Sequence, residues 1–211
     1  MAKTQTAARG RQGRPWIVPA GNLSATLLIK PDCAPGDAAK RSFLAANALF
    51  AALSHYVDPS KLALKWPNDV LLSGGKVAGI LLESSGGGGK VNWLSIGIGV
   101  NLAHVPEGVT DAAFAPVSLS QISGAPIAPD DFLTKLASTF AAQEAKLATS
   151  GFAAIRADWL QNAARLGETI TARTPKDDVT GIFETIDSDG QLILQTAKGR
   201  QAISAADVYF G

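Results

Sequence analysis

Two stretches, 77–83 (VAGILLE) and 91–100 (VNWLSIGIGV), are apolar or glycine at most positions and are divided by a run of serine and glycine, Ser84 to Gly89. A half-exposed strand alternates polar with apolar residues. Segments that lack that alternation predict central strands of a sheet covered on both faces. Residues 23–30 read as a further buried strand closed by Pro31 and Pro35, and 62–66 as a short one. A helix is expected from Asp37, as N-cap, to Val57, because Phe43, Ala46, Phe50, Leu53 and Val57 recur at helical spacing. Asp130 opens a second helix with Phe132, Leu133, Leu136, Phe140 and Leu147 on one side, and Phe152, Ile155 and Trp159 mark a third.

After residue 164 the pattern changes. ETITAR, VTGIFETI, QLILQT and RQAIS are short strands at close intervals, and Asp187-Ser188-Asp189-Gly190 sits at a tight turn. So small a β unit, 165–211, suggests an SH3-like barrel that leans on the larger domain, 1–164.

Composition excludes several functions. Apolar residues are 46% of the 211 and charged residues 18%, enough for a core and against general disorder. A net charge of +1 gives no global field toward nucleic acid or a membrane. The charge is uneven, however. Lys3, Arg9, Arg11 and Arg14 stand in the first sixteen residues without an acid, leaving the remainder at −3. Cys33 is the only cysteine and His55 and His104 the only histidines, so a disulfide framework and a Cys- or His-rich metal site are out. No stretch approaches the ~20 apolar residues of a membrane span, and no apolar leader follows Lys3. A cytoplasmic protein is the expectation.

Three segments do not read as packing. In 8–16, three arginines interleaved with glycines bring guanidinium groups and bare backbone N–H groups together, the chemistry for gripping carboxylates and phosphates, and Trp16 offers a flat face to a base. In Lys65-Trp66-Pro67-Asn68-Asp69, an amide and a carboxylate stand just past a strand end. In Gly74-Gly75-Lys76-Val77-Ala78-Gly79, a lysine opens an apolar strand, which is costly unless it meets an anion, and small residues behind it admit a close ligand. Read singly, the second is as well explained by a turn and the third by a frayed strand end. Neither Gly75-Lys76 nor Gly89-Lys90 completes a phosphate loop, Leu102 stands where a dinucleotide fingerprint needs glycine after Gly97-Ile98-Gly99, and no Gly-x-Ser-x-Gly elbow occurs.

Taken in order, these segments, together with Gly97-Ile98-Gly99-Val100-Asn101, resemble the catalytic domain of biotin protein ligases. That family carries a Gly-Arg-Gly-Arg-x-Gly loop ending in Trp, then Lys-Trp-Pro-Asn-Asp, Lys-x-x-Gly-Ile-Leu-x-Glu and Gly-x-Gly-x-Asn. The resemblance covers nearly the whole chain. It implies an α+β fold, a mixed sheet flanked by helices of the class II synthetase-like type, with a C-terminal SH3-like domain. Ala8 replaces the loop's first glycine and leaves every arginine. The family also has a strand and helix with a Ser-Thr-Asn motif ahead of the loop. This chain begins at the loop, so a biotin pocket lacking that contribution is expected, as is the absence of the repressor form's DNA-binding helix-turn-helix.

The resemblance implies that biotin is activated by ATP as biotinyl-5′-AMP and passed to a lysine of the carrier domain of a biotin-dependent carboxylase, with Mg²⁺ present. It places Gln5, Arg9, Gly10, Arg11, Lys76 and Gly79 on biotin and Arg11, Arg14, Trp16, Asn68, Lys76 and Asn101 on the nucleotide. Lys76, Arg11 and Asp69 would serve the chemistry, and Asp69, with Asn68, would help place a metal held mostly by the substrate phosphates. A homodimer stays open, as do two other readings: a relative that binds without turnover, and a lipoate-type ligase on the same fold.

Overall fold

The computed structural model describes residues 2, 5–108 and 114–210; Lys3, counted above with the basic segment, lies outside them. The larger sheet has five strands: β1 (Leu23–Ile29), β2 (Leu62–Lys65), β3 (Asp69–Leu72), β4 (Gly75–Gly87) and β5 (Lys90–Val100), in the order β1-β5-β4-β3-β2. The expected pair is therefore central, but every ladder is antiparallel. Parallel pairing is confined to two isolated bridges, Leu64 with Ala163 and Lys76 with Pro116, so the sheet is mixed only in that sense.

Helices cover one face alone. In β5, Leu94, Ile96, Ile98 and Val100 are buried, whereas Ser95, Gly97 and Gly99 between them are half-buried. A period of two was present in SIGIGV (95–100), hidden because glycine counts as apolar without filling space. The covered face packs on α2 (Arg41–Leu53) and α4 (Pro129–Gln161), the short helix α1 (Pro35–Ala39) lies against β4 and β5, and a second short helix, α3 (Leu119–Ser123), precedes α4.

The first expected helix starts earlier and breaks. Pro35 occupies the first turn of α1, Asp37 lies inside it rather than capping it, and Lys40 separates α1 from α2. The second and third expected helices form the one span α4, interrupted at Gly151, whose φ of 71° and ψ of −179° are non-helical. Ala128 rather than Asp130 flanks its start.

Beyond α4, β6 (Thr169–Arg173), β7 (Asp178–Ile186), β8 (Leu192–Thr196), β9 (Gly199–Ile203) and β10 (Asp207–Phe210) form the small SH3-like β unit, an antiparallel sheet ordered β10-β6-β7-β8-β9. It shares one apolar core with the larger sheet. Trp159 of α4 bridges them, edge-on to Phe43 at 5.5 Å and to Phe183 at 6.5 Å. Trp66, whose bond to Pro67 is cis, packs into that core, and its indole N–H donates to the Gly190 carbonyl at 3.1 Å.

Candidate active site

The uncovered face of the larger sheet is the floor of a pocket, and register builds it. Ser24 of β1 lies opposite Gly99 of β5, Gly99 opposite Gly79 of β4, Gly79 opposite Asp69 of β3, and Asp69 opposite Lys65 of β2. The neighbouring row, Leu23, Val100, Ala78, Val70 and Leu64, is wholly buried on the helix side. At the two central positions the floor is bare backbone, and the Trp16 indole lies on it. A Cβ at Gly99 would overlap the indole, and one at Gly79 would stand 3.4 Å from Trp16 Cζ3 and from Lys76 Cε.

Over this floor residues 8–16 fold back on themselves. Gly10 N–H donates to the Arg14 carbonyl at 2.7 Å and Trp16 N–H to the Ala8 carbonyl at 3.0 Å. The turn between them runs through left-handed Gln12 and Gly13, with φ of 57° and 73°. The three arginines then diverge. Arg9 pairs with Glu83 at 2.6 Å in the open, where water and salt screen the attraction. Arg14 reaches Asp207 of β10 at 2.7 Å. The Arg11 guanidinium makes no hydrogen bond among the described residues. Burial lowers its pKa, against the pull of Asp207 and Asp69 and with a smaller push from Arg14. Of the three, Arg11 alone has no ion-pair partner among the described residues.

Asp69 is buried and holds two lysines: Lys76 Nζ at 2.6 Å from Oδ1 and Lys65 Nζ at 3.4 Å from Oδ2. Lys65 faces it by register, whereas Lys76 arrives through an irregularity in the β3–β4 ladder between Val70 and Leu71. Burial alone would raise the Asp69 pKa; Lys76 and then Lys65 outweigh it and hold the carboxyl below its usual range. Burial lowers the Lys65 pKa, and Asp69 opposes the shift. Lys76 Nζ also stands 5.4 Å from the centre of the Trp16 ring.

The expected metal role of Asp69 does not fit these neighbours. Among the described residues no three His, Cys, Asp or Glu side chains are grouped to hold an ion, and two ammonium groups already occupy this carboxylate. Asp69 is an anchor for lysines.

Gln5, Arg9, Gly10, Arg11, Arg14, Trp16, Asn68, Asp69, Lys76, Gly79 and Asn101 all line this one cavity of about 640 Å³. They do not contribute alike. Asn68 is a clamp, its Nδ2 donating to the Ile80 carbonyl at 2.6 Å while its own carbonyl accepts Ile80 N–H at 2.9 Å. Asn101 is 2% exposed; its Nδ2 reaches the Lys76 carbonyl at 3.5 Å and its Oδ1 accepts from Asn22 at 3.5 Å, so it braces the strand carrying Lys76. Gln5 Oε1 accepts from Ser24 Oγ at 2.5 Å.

Lys65, Ser24, Phe114, Asp207 and Tyr209 also line the cavity and were not foreseen. The signal for Lys65 was available, since a lysine ending the apolar strand 62–65 raises the same cost that drew attention to Lys76. Asp207 had no local signal, lying 193 residues from Arg14.

Residues 1–101 match the Biotin/lipoate A/B protein ligase family and residues 166–211 the Biotin protein ligase C terminal domain. The chain is 52% identical to a biotin–[acetyl-CoA-carboxylase] ligase of Paracoccus denitrificans, over all of this chain and 89% of that protein. It is 32% identical to the bifunctional ligase/repressor BirA of Bacillus subtilis, over all of this chain and 65% of that one. The biotin protein ligase of Aquifex aeolicus, solved with biotin and ATP, superposes with a TM-score of 0.83 at 23% identity, covering 99% of this chain and 87% of that one. The fold is shared with that biotin protein ligase. The chain belongs to the Biotin/lipoate A/B protein ligase family, within its biotin protein ligases.

Proposed function

We propose that this chain is an ATP-dependent biotin–[biotin carboxyl-carrier protein] ligase. The biotin carboxylate attacks the α-phosphate of ATP, pyrophosphate leaves, and biotinyl-5′-AMP remains. A carrier lysine amine then attacks the mixed anhydride and AMP departs. The first step brings an anion onto a polyanion, so the site must cancel charge and align two ligands rather than supply a nucleophile. The observation that carries this reading is the meeting of Arg11, Arg14, Lys65 and Lys76 above a glycine floor in one cavity. Against Asp69 and Asp207 these four cations leave an excess of positive charge.

In this reading Gln5, Arg9, Gly10, Arg11 and Gly79 hold biotin, and Arg11, Arg14 and Trp16 the nucleotide. Lys76 bridges the reacting carboxylate and α-phosphate, while Asn68 and Asn101 keep its strand in place. ATP enters as its Mg²⁺ complex, the ion held by phosphates. Residues 1–164 form the ligase unit and 165–211 the SH3-like unit, which completes the pocket through Asp207 and Tyr209. The partner is the carrier domain of a biotin-dependent carboxylase in the cytoplasm, and a homodimer, tested by sedimentation, belongs to the same reading.

Biotin-dependent exchange of labelled pyrophosphate into ATP, followed by transfer of labelled biotin to a carrier domain, tests the proposal. Exchange with lipoate in place of biotin, or binding of both ligands without exchange, overturns it.

A further inference from the structure

Lys65 is the cation of the pocket to which the proposed chemistry gives no role. It ends β2, is 6% exposed, and lies directly opposite Asp69 in the ladder. An ammonium group carries three donors, yet among the described residues the Lys65 ammonium makes one hydrogen bond, to Asp69 Oδ2 at 3.4 Å, with the centre of the Phe114 ring 5.0 Å away. So deep a lysine is costly to the fold unless its charge is matched. A leucine or methionine there would serve packing as well.

The two lysines on Asp69 are unequal. The Lys65 side chain is 6% exposed and that of Lys76 is 27% exposed, although Lys76 makes the shorter contact, 2.6 Å to Oδ1. Each takes a different carboxylate oxygen, so one can leave without disturbing the other. An anionic ligand entering from the pocket meets Lys76 first and competes with Asp69 for it. If Lys76 leaves, Asp69 still needs a counter-charge, because a buried carboxylate stripped of its partners is strongly destabilised. It would also repel the arriving phosphates.

We infer that Lys65 is a positioning residue for adenylate formation: it keeps Asp69 matched and in place, so that Lys76 can exchange Asp69 for the ligand. This rests on the reading of Lys76 as the bridge between carboxylate and α-phosphate. Lys65–Asp69 is the fixed half of the cluster and Lys76 the exchangeable half. Lys65 touches neither reacting group and acts through Asp69. Arg11, the other cation facing Asp69, belongs to the loop and goes with the ligand.

The test is a double-mutant cycle in biotin-dependent ATP–pyrophosphate exchange, with wild type, Lys65→Met, Asp69→Asn and the double variant. Lys65→Met is expected to lower kcat at least about 150-fold, the rate equivalent of breaking a buried ion pair, while the biotin KM stays within about threefold. Added to Asp69→Asn it should cost no more than about threefold, since the group it serves is already gone. Unchanged kcat in Lys65→Met overturns the inference. So do multiplying effects in the double variant, which would mean that Lys65 acts on the ligand itself. A lysine needed only for folding would lower the urea midpoint and leave the kcat of the folded fraction unchanged. Should Lys65→Met alone fail to fold, the double variant against Asp69→Asn decides, a further loss above about tenfold refuting the scheme. Absence of exchange in the wild type would instead refute the ligase reading.

Discussion

Replacing Gly99 by alanine isolates the contribution of the bare floor. A Cβ at this position falls inside the Trp16 indole, 2.8 Å from Cζ2 and closer still to Nε1 and Cε2. The opposing strands fix Gly99 between Ser24 and Gly79, so the ring must move rather than the sheet. Gly97, two residues away on the same face, is the control: its added Cβ would meet the Leu81 carbonyl at 3.5 Å and the Leu81 Cβ at 3.8 Å, both ordinary contacts. If the indole carries the adenine, its loss from the floor removes a stacking platform worth about 1–3 kcal/mol. That is roughly a 5- to 150-fold rise in the ATP KM for Gly99→Ala at about 1.4 kcal/mol per tenfold, against less than about twofold for Gly97→Ala. Melting temperatures of both variants should stay close to wild type, because Trp16 lies in a loop outside the core. Initial rates of pyrophosphate exchange against ATP concentration read the effect. Equal ATP KM values for the two variants, or a larger rise in Gly97→Ala, would refute the argument.

Three further outcomes follow from the pocket and its neighbours. Asp207→Asn frees Arg14 and adds a positive charge to the site; it should lower the ATP KM about two- to fivefold at low salt and less at high salt, with little change in stability. Asp69 has a folded pKa below its unfolded value, so its contribution is present above the unfolded pKa and is lost as pH falls through the folded one. Asp69→Asn should therefore be less stable than wild type by about 3 kcal/mol in urea at pH 7, and the gap should close in acid below the ordinary carboxylate range. Gly190→Ala forces a side chain into a φ of 84° and to 2.7 Å from Phe43, at the turn that receives the Trp66 N–H. It should cost about 1–3 kcal/mol, and an unchanged melting temperature would show that the two sheets are not tied there.

Local elements that depend on near neighbours in the chain were legible. The strands β1, β4 and β5, the spans of α2 and α4, and the change of texture before β6 follow from apolar period and from proline and glycine. The membership of the pocket came instead from the order of the motifs: read singly, the Lys65–Asp69 and Lys76 segments are explained by a turn and a strand end, and Ser24, Phe114, Asp207 and Tyr209 join the cavity without a local signal. Smaller pieces escaped, among them β3, β10 and α3, because four or five residues carry too little periodicity.

The amino-acid sequence by itself determined that the chain has a core, a central β pair and a loop rich in arginine and glycine, because side-chain volume, charge and backbone freedom are local properties. Only the tertiary structure decided which face of the sheet stays open, since glycine reads as apolar until neighbouring strands show that nothing covers it. It also decided what each charge does. Register sets Lys65 against Asp69, a ladder irregularity brings Lys76 to the same carboxylate, and the packing of β10 delivers Asp207 to Arg14. Electrostatic energy depends on distance and burial, and neither exists along the chain before the strands pair.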